Sequence, residues 1–175
     1  MDNYNKTLFV TLNTIAISTL TIILSYIHQW TNVTKETKWL VGNSDSIFQK
    51  IKNGLFPWIL VYIIIYGWVN INNYGLFYFL RNFSAGVIGF VIYFFAMMIL
   101  YYIWYFAEPN ATDKQQEGYD IASYIISVLF GVLAWLGTSN MIISKRLDRS
   151  ITLIGTILII LWFETCTYKQ CPNIY

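Results

Sequence analysis

Residues 44–58 read SDSIFQKIKNGLFPW and join a polar connection to a strongly apolar segment. Ser46 and Gln49 have the spacing of a capping box, which predicts that a helix begins at this point. Apolar side chains then recur every fourth residue and share one face of that helix: Ile47, Ile51 and Leu55. The stretch therefore predicts an interfacial amphipathic helix that leads into the apolar segment.

Three polar or unusual residues of the same stretch bear on how this helix meets a membrane. Pro57 has no backbone N–H, so it removes one helical hydrogen bond and predicts a kink where the apolar segment begins. Lys50 and Lys52 have side chains long enough to reach lipid head groups or water. The stretch fits a working surface and a simple membrane anchor equally well.

The composition of the whole chain is that of a membrane protein. Hydrophobic residues make up 57% of its 175 residues and charged residues only 11%, whereas a soluble domain has about 25% charged residues. The net charge of +2 is small and its basic residues are scattered, which disfavours nucleic acid as a partner. The expected partner is the lipid bilayer.

The order of apolar segments predicts an all-α fold. A bilayer core about 30 Å thick needs about 20 apolar residues per helix, and the chain supplies several such runs. We expect a polytopic membrane protein with a single domain over residues 1–175, a bundle of about five transmembrane helices. The predicted spans are about 8–27, 55–69, 83–107, 121–143 and 151–164.

The connections between these spans have different characters. The segment before the third span is broken by Gly75 and Arg81, and predicts either an interfacial segment or an extension of the third helix. Residues 108–118, EPNATDKQQEG, predict a polar loop. Small-residue patterns in the third and fourth spans predict close helix packing: Gly86 with Gly89, and Gly131 with Gly137.

The short basic loop SKRLDRS, residues 144–150, determines the predicted orientation. Basic loops stay in the cytoplasm, and this placement puts the N-terminus there as well. Cys166 and Cys171 then lie outside, where they could form a disulfide. One histidine and two cysteines do not support a metal site, and we expect no cofactor.

Because the chain reverses direction at each span, alternate span ends lie on the same side of the membrane. The ionisable residues near the membrane edge are predicted to share one such side. His28 ends the first predicted span, Lys52 precedes the second, Asp120 opens the fourth and Glu164 ends the fifth. One interpretation is simple solvation of helix ends, since charges at the boundary reach water. The other is a polar vestibule in which the histidine and the two carboxylates converge.

The helix dipole explains the position of one of the two carboxylates better than that of the other. Asp120 fits an acid at a helix N-terminus, where the helix dipole stabilises it. Glu164 lies near a predicted helix C-terminus, where the dipole disfavours an anion. Glu164 is therefore the more suggestive of a site, and neither residue accompanies a recognisable nucleophile motif.

The stretches SYIHQW and SDSIFQKIKNGLFP resemble an uncharacterised family of small bacterial membrane proteins, domain of unknown function 6512. The matching positions are Trp30, Ser46, Lys52 and Pro57, with Asp45 at an acidic position. Further along, YDIASYIISVLFG is similar to a later span of the family at Asp120, Ile121 and Gly131. The resemblance implies a five-helix membrane protein and no established activity.

The departures from that family favour binding over catalysis. Ser25, Gln29, Gln49 and Lys50 stand where the family has ionisable histidine or glutamate. The leading hypothesis is a non-enzymatic membrane protein that binds a lipid-like ligand or a partner membrane subunit. Its predicted working face is His28, Asp45, Lys52, Asp120 and Glu164. The alternatives are a small membrane enzyme acting on lipid head groups and a transporter or channel component.

Overall fold

The computed structural model describes residues 3–30, 47–62, 76–139 and 145–168, and within these ranges it is all-helical, as predicted. The helices are α1 (Asn3–Trp30), α2 (Ile47–Leu60), α3 (Leu76–Ala107), α4 (Asp113–Ser139) and α5 (Lys145–Tyr168). Segments of three of them are long and apolar enough to cross a membrane: Lys6–Ile27, Asn82–Ala107 and Asp113–Ser139. This architecture is compatible with a membrane protein.

A helix follows Ser46 and another helix extends the third predicted span toward the N-terminus. Residues 47–60 are helical from the first described residue onward, while Ser46 lies outside the described ranges, so the capping box stays a prediction. Helix α3 begins at Leu76 and continues through Arg81. The segment that precedes the third predicted span is therefore, from Leu76 onward, an extension of that helix.

The predicted polar loop over residues 108–118 is too long, because a helix cap shortens it. The Thr112 backbone N–H and its hydroxyl both donate to the Gln115 side-chain oxygen, each at 2.9 Å. This threonine and glutamine form a capping box, and α4 begins at Asp113. Asp120 consequently lies two turns inside α4 instead of at its start.

Helix α2 lies inside the bundle. It packs against α1, α3 and α5. The predicted apolar face is buried, but the interpretation as an interfacial amphipathic helix is wrong because the polar side chains around it are buried as well. The buried residues are Ile47, Lys50, Ile51, Lys52, Asn53, Gly54, Leu55, Pro57 and Trp58.

Trp58 is the central side chain of the apolar core. Its indole N–H donates to the backbone carbonyl of Gly86 at 3.1 Å. Its ring lies 6.2 Å from that of Phe90 and 6.0 Å from those of Tyr93 and Trp135. One residue of α2 therefore contacts both α3 and α4, and it keeps its single polar atom hydrogen-bonded within the core.

Helices α3 and α4 approach each other closely at two glycines. A Cβ atom built on Gly131 would lie 2.7 Å from the carbonyl oxygen of Gly89 and 2.6 Å from the Trp58 ring. This confirms the predicted close packing for these two glycines. Among the described residues, no atom lies within 4 Å of such a Cβ position on Gly137, so no close packing is seen at that residue.

The outer surface of the bundle is apolar and part of its interior is polar. In α1 the buried side chains include Asn13, Ser18 and Thr21, whereas Leu12 and Ile15 are more than half exposed. The Thr21 hydroxyl donates to the carbonyl of Ile17 at 2.7 Å. Small polar side chains packed between helices and aliphatic side chains outside are the arrangement expected of helices surrounded by lipid.

We expect Gly131→Ala to lower the free energy of unfolding by about 1–3 kcal/mol, because the added methyl group overpacks a contact with backbone. Gly137→Ala on the same helix is the matched control and should raise stability by up to about 1 kcal/mol, the usual gain for helical glycine. Melting temperatures of the purified protein in detergent measure both effects. Equal melting temperatures for the two variants would contradict the close contact.

Candidate functional site

An ion pair between α2 and α4 lies at the centre of the polar part of the bundle. The Lys50 ammonium donates to both carboxylate oxygens of Asp120, at 2.7 and 2.6 Å. The lysine side chain is 8% exposed and the aspartate side chain 23% exposed. Removing one member of such a buried pair leaves the other charge uncompensated. The two helices are thus joined electrostatically.

Both members of the pair lie in the N-terminal part of their helices. Lys50 lies in the first turn of α2, and Asp120 lies on the α4 turns that follow the short connection from α3. The dipole interpretation of Asp120 is wrong, since that effect fades beyond the first helical turn. The lysine supplies the positive charge instead.

Aromatic side chains hold α4 in place beside the end of α3. The rings of Trp104 and Tyr119 are stacked, with centroids 4.6 Å apart and planes 2° from parallel. The Trp104 indole N–H also donates to the Ser123 hydroxyl at 3.1 Å. Tyr119 directly precedes Asp120, so these contacts fix the position of the carboxylate.

Neutral polar side chains surround the ion pair. Tyr124, Ser25 and Asn53 line the same small cavity as the ion pair. We call Ser25, Lys50, Asn53, Asp120 and Tyr124 the polar cluster. The cavity among them has a volume of about 40 Å³ and is also lined by Tyr26 and Glu117. This volume has room for a few water molecules.

The opposite side of α2 borders an apolar pocket of about 230 Å³, bounded by α2, α3 and α5. We call it the lateral pocket. Its accessible surface is apolar throughout. The side chains that line it include Trp58, Ile59, Tyr62, Val87, Thr156 and Ile160. Of these, Ile59 and Ile160 are 40% and 51% exposed, so they form its outer rim.

The three predicted site residues whose side chains the structure describes lie in different surroundings. Asp120 belongs to the polar cluster, while Lys52 is 1% exposed, with its ammonium 5.0 Å from the Phe163 ring centroid. Glu164 is exposed on α5, which packs on α3 and α2. The expectation that Lys50 and Lys52 extend to head groups or water is wrong, because other helices cover both.

Some predicted positions lie outside what the structure describes. Asp45 and Cys171 belong to undescribed ranges, and the side chains of His28 and Cys166 are likewise not described. The predicted disulfide and the histidine's part in a vestibule therefore stay predictions. Within the described ranges, no three His, Cys, Asp or Glu side chains are grouped so as to hold a metal ion.

Sequence reasoning missed most of the polar cluster and the whole lateral pocket. Helical spacing carried part of the signal, because Lys50 and Asn53 are three residues apart and Asp120 and Tyr124 are four apart. Each pair thus lies on one helix face. Which face meets which helix is a long-range property, and the pattern alone does not specify it.

Comparisons with the models of known protein families, with curated proteins and with solved structures each found no match.

We expect Lys50→Met to lower the free energy of unfolding by about 1–3 kcal/mol, because it leaves the part-buried Asp120 carboxylate without its counter-ion. Lys114→Met, at an exposed position of α4, is the matched control and should have little effect. Adding Asp120→Leu to Lys50→Met should recover most of the loss. Denaturant titration measures all three, and equal stability of the two lysine variants would contradict the ion pair.

Proposed function

We propose that this chain is a multi-pass membrane protein with five transmembrane helices that binds a lipid-like ligand and performs no chemistry on it. The lateral pocket is the observation that carries the proposal. Three helices long and apolar enough to cross a membrane support the membrane placement. Helices α2 and α5, which border the pocket, are the remaining two spans in this proposal.

The size and lining of the lateral pocket match one hydrocarbon chain. A protein cavity of about 150 Å³ lined by aliphatic and aromatic side chains binds benzene, and this pocket is larger, at about 230 Å³. Ile59 and Ile160 at its rim are partly exposed, which leaves the pocket open toward the surrounding lipid. A ligand would enter sideways from the bilayer.

The polar cluster favours binding over catalysis. Both oxygens of Asp120 accept hydrogen bonds from Lys50, so the carboxylate is engaged and is not poised as a general base. Two positions that depart from the resembling family, Ser25 and Lys50, lie in this cluster. Membership of that family remains part of the proposal, and the cluster would be the place where this chain differs from it.

We propose an orientation with the N-terminus in the cytoplasm. The basic residues in the first turns of α5, Lys145, Arg146 and Arg149, then lie on the cytoplasmic side. At the other face, the end of α3 carries partly exposed aromatic side chains of the kind found in interfacial belts: Tyr102, Tyr105 and Phe106.

We expect Ile160→Trp to reduce the amount of bound lipid, because a larger side chain at the rim obstructs the lateral pocket. Ile157→Trp is the matched control, since Ile157 is on the same helix and 48% exposed compared with 51% for Ile160, but does not line the pocket. Native mass spectrometry after gentle extraction measures retained lipid. Equal retention in both variants, or a retained protein subunit in place of lipid, would contradict the proposal.

We expect a cysteine at Asn110, between α3 and α4, to react with a membrane-impermeant maleimide in intact cells. A cysteine at Arg149, near the start of α5, should react only after permeabilisation. Both are introduced into the Cys166→Ser/Cys171→Ser background. Labelling of both positions from outside would contradict a membrane crossing by α4. Labelling of position 149 but not of position 110 in intact cells would contradict the proposed orientation.

A further inference from the structure

Thr156 of α5 lines the lateral pocket with its hydroxyl turned away from the pocket surface. Thr156 lines the pocket, and its Oγ1 is buried and has no partner among the described residues. Because the accessible pocket surface is apolar, the residue presents its methyl group there and shields its hydroxyl. A buried hydroxyl without a partner is unfavourable and indicates an interaction that the described residues do not supply.

Three other helical threonines satisfy their hydroxyls locally, whereas Thr14 and Thr152 share the condition of Thr156. Thr21, Thr138 and Thr165 each donate to the carbonyl four residues earlier, at 2.7 Å. Helical threonine occupies two side-chain rotamers, so rotation of Thr156 would exchange its methyl group for its hydroxyl at the pocket wall. Thr156 therefore has a donor and an acceptor to offer a molecule in the pocket.

The depth of Thr156 restricts which molecules have an oxygen within reach. It is the twelfth of the 24 residues of α5, about 17 Å from either helix end at 1.5 Å per residue. Across a hydrocarbon core about 30 Å thick, that position is near the middle. The ester oxygens of a phospholipid lie in the interfacial region, so its chains would pass Thr156 as pure hydrocarbon.

We propose that the lateral pocket selects a neutral, largely hydrocarbon molecule with a carbonyl or hydroxyl oxygen within its apolar part, and that Thr156 hydrogen-bonds this oxygen. The inference rests on the proposed function and names the class of its ligand. The aliphatic and aromatic walls hold the hydrocarbon part, and the threonine distinguishes the oxygenated molecule from an ordinary acyl chain.

The test compares two probes of equal length, octadecane and a mid-chain octadecanone, titrated against the full chain in detergent and followed by native mass spectrometry. The wild type should bind the ketone several-fold to about tenfold more tightly than the alkane, the range expected for one neutral hydrogen bond. Thr156→Val should remove this preference, while Thr156→Ser should retain it.

Thr152→Val is the matched control, because Thr152 also has a buried hydroxyl without a described partner but does not line the pocket. It should keep the preference for the ketone. The infrared carbonyl band of isotope-labelled ketone reports the bond directly. It should be shifted to lower frequency in the wild type and in Thr152→Val, and unshifted in Thr156→Val.

The possible failures are distinguishable. Equal affinity for both probes, or a ketone preference that survives Thr156→Val, overturns the inference about ligand class. If Ile160→Trp still weakens binding of both probes in that case, the proposed function stands. Binding of neither probe to the wild type overturns the proposed function together with the inference.

Discussion

The packing of Trp58 between two glycine-containing helices is the contact on which the rest of the bundle depends. Its indole fills the space beside Gly89 and Gly131 and donates to the carbonyl of Gly86. An aromatic side chain of this size contributes a large buried area, and it fits because the glycines have no side chains there. This contact places α2 inside the bundle.

With α2 at the centre, its two sides face different neighbours. Lys50 and Asn53 face the polar cluster formed with α1 and α4, whereas Leu55 and Ile59 border the lateral pocket formed with α3 and α5. The same short helix thus separates a charged site from an apolar one. A substitution on one side of α2 need not affect the other, which makes the two sites separable by mutation.

The sequence was informative wherever local chemistry determines structure. Helical periodicity identified the helix over residues 47–60, and small-residue spacing identified Gly89 and Gly131 as close contacts. Composition was enough for the helical class. These features depend on neighbours along the chain, so patterns of a few residues carry them.

The errors came from contacts between distant parts of the chain. The sequence predicted that the Lys50 ammonium reaches head groups or water, because a lysine near an apolar segment usually does. Its actual partner, Asp120, lies 70 residues further along the chain. The start of α4 was misplaced because the Thr112 cap lies in a stretch that reads as a loop. The lateral pocket requires three helices to be positioned together, and no single stretch specifies that.

The separation between Lys50 and Asp120 also constrains how the bundle assembles. In chain order α2 precedes the counter-ion of its lysine by 70 residues. The α3–α4 hairpin, with its short turn and extensive contact, has the local character of structures that form quickly. The burial of the Lys50 ammonium with its charge compensated thus depends on a carboxylate that a later part of the chain supplies.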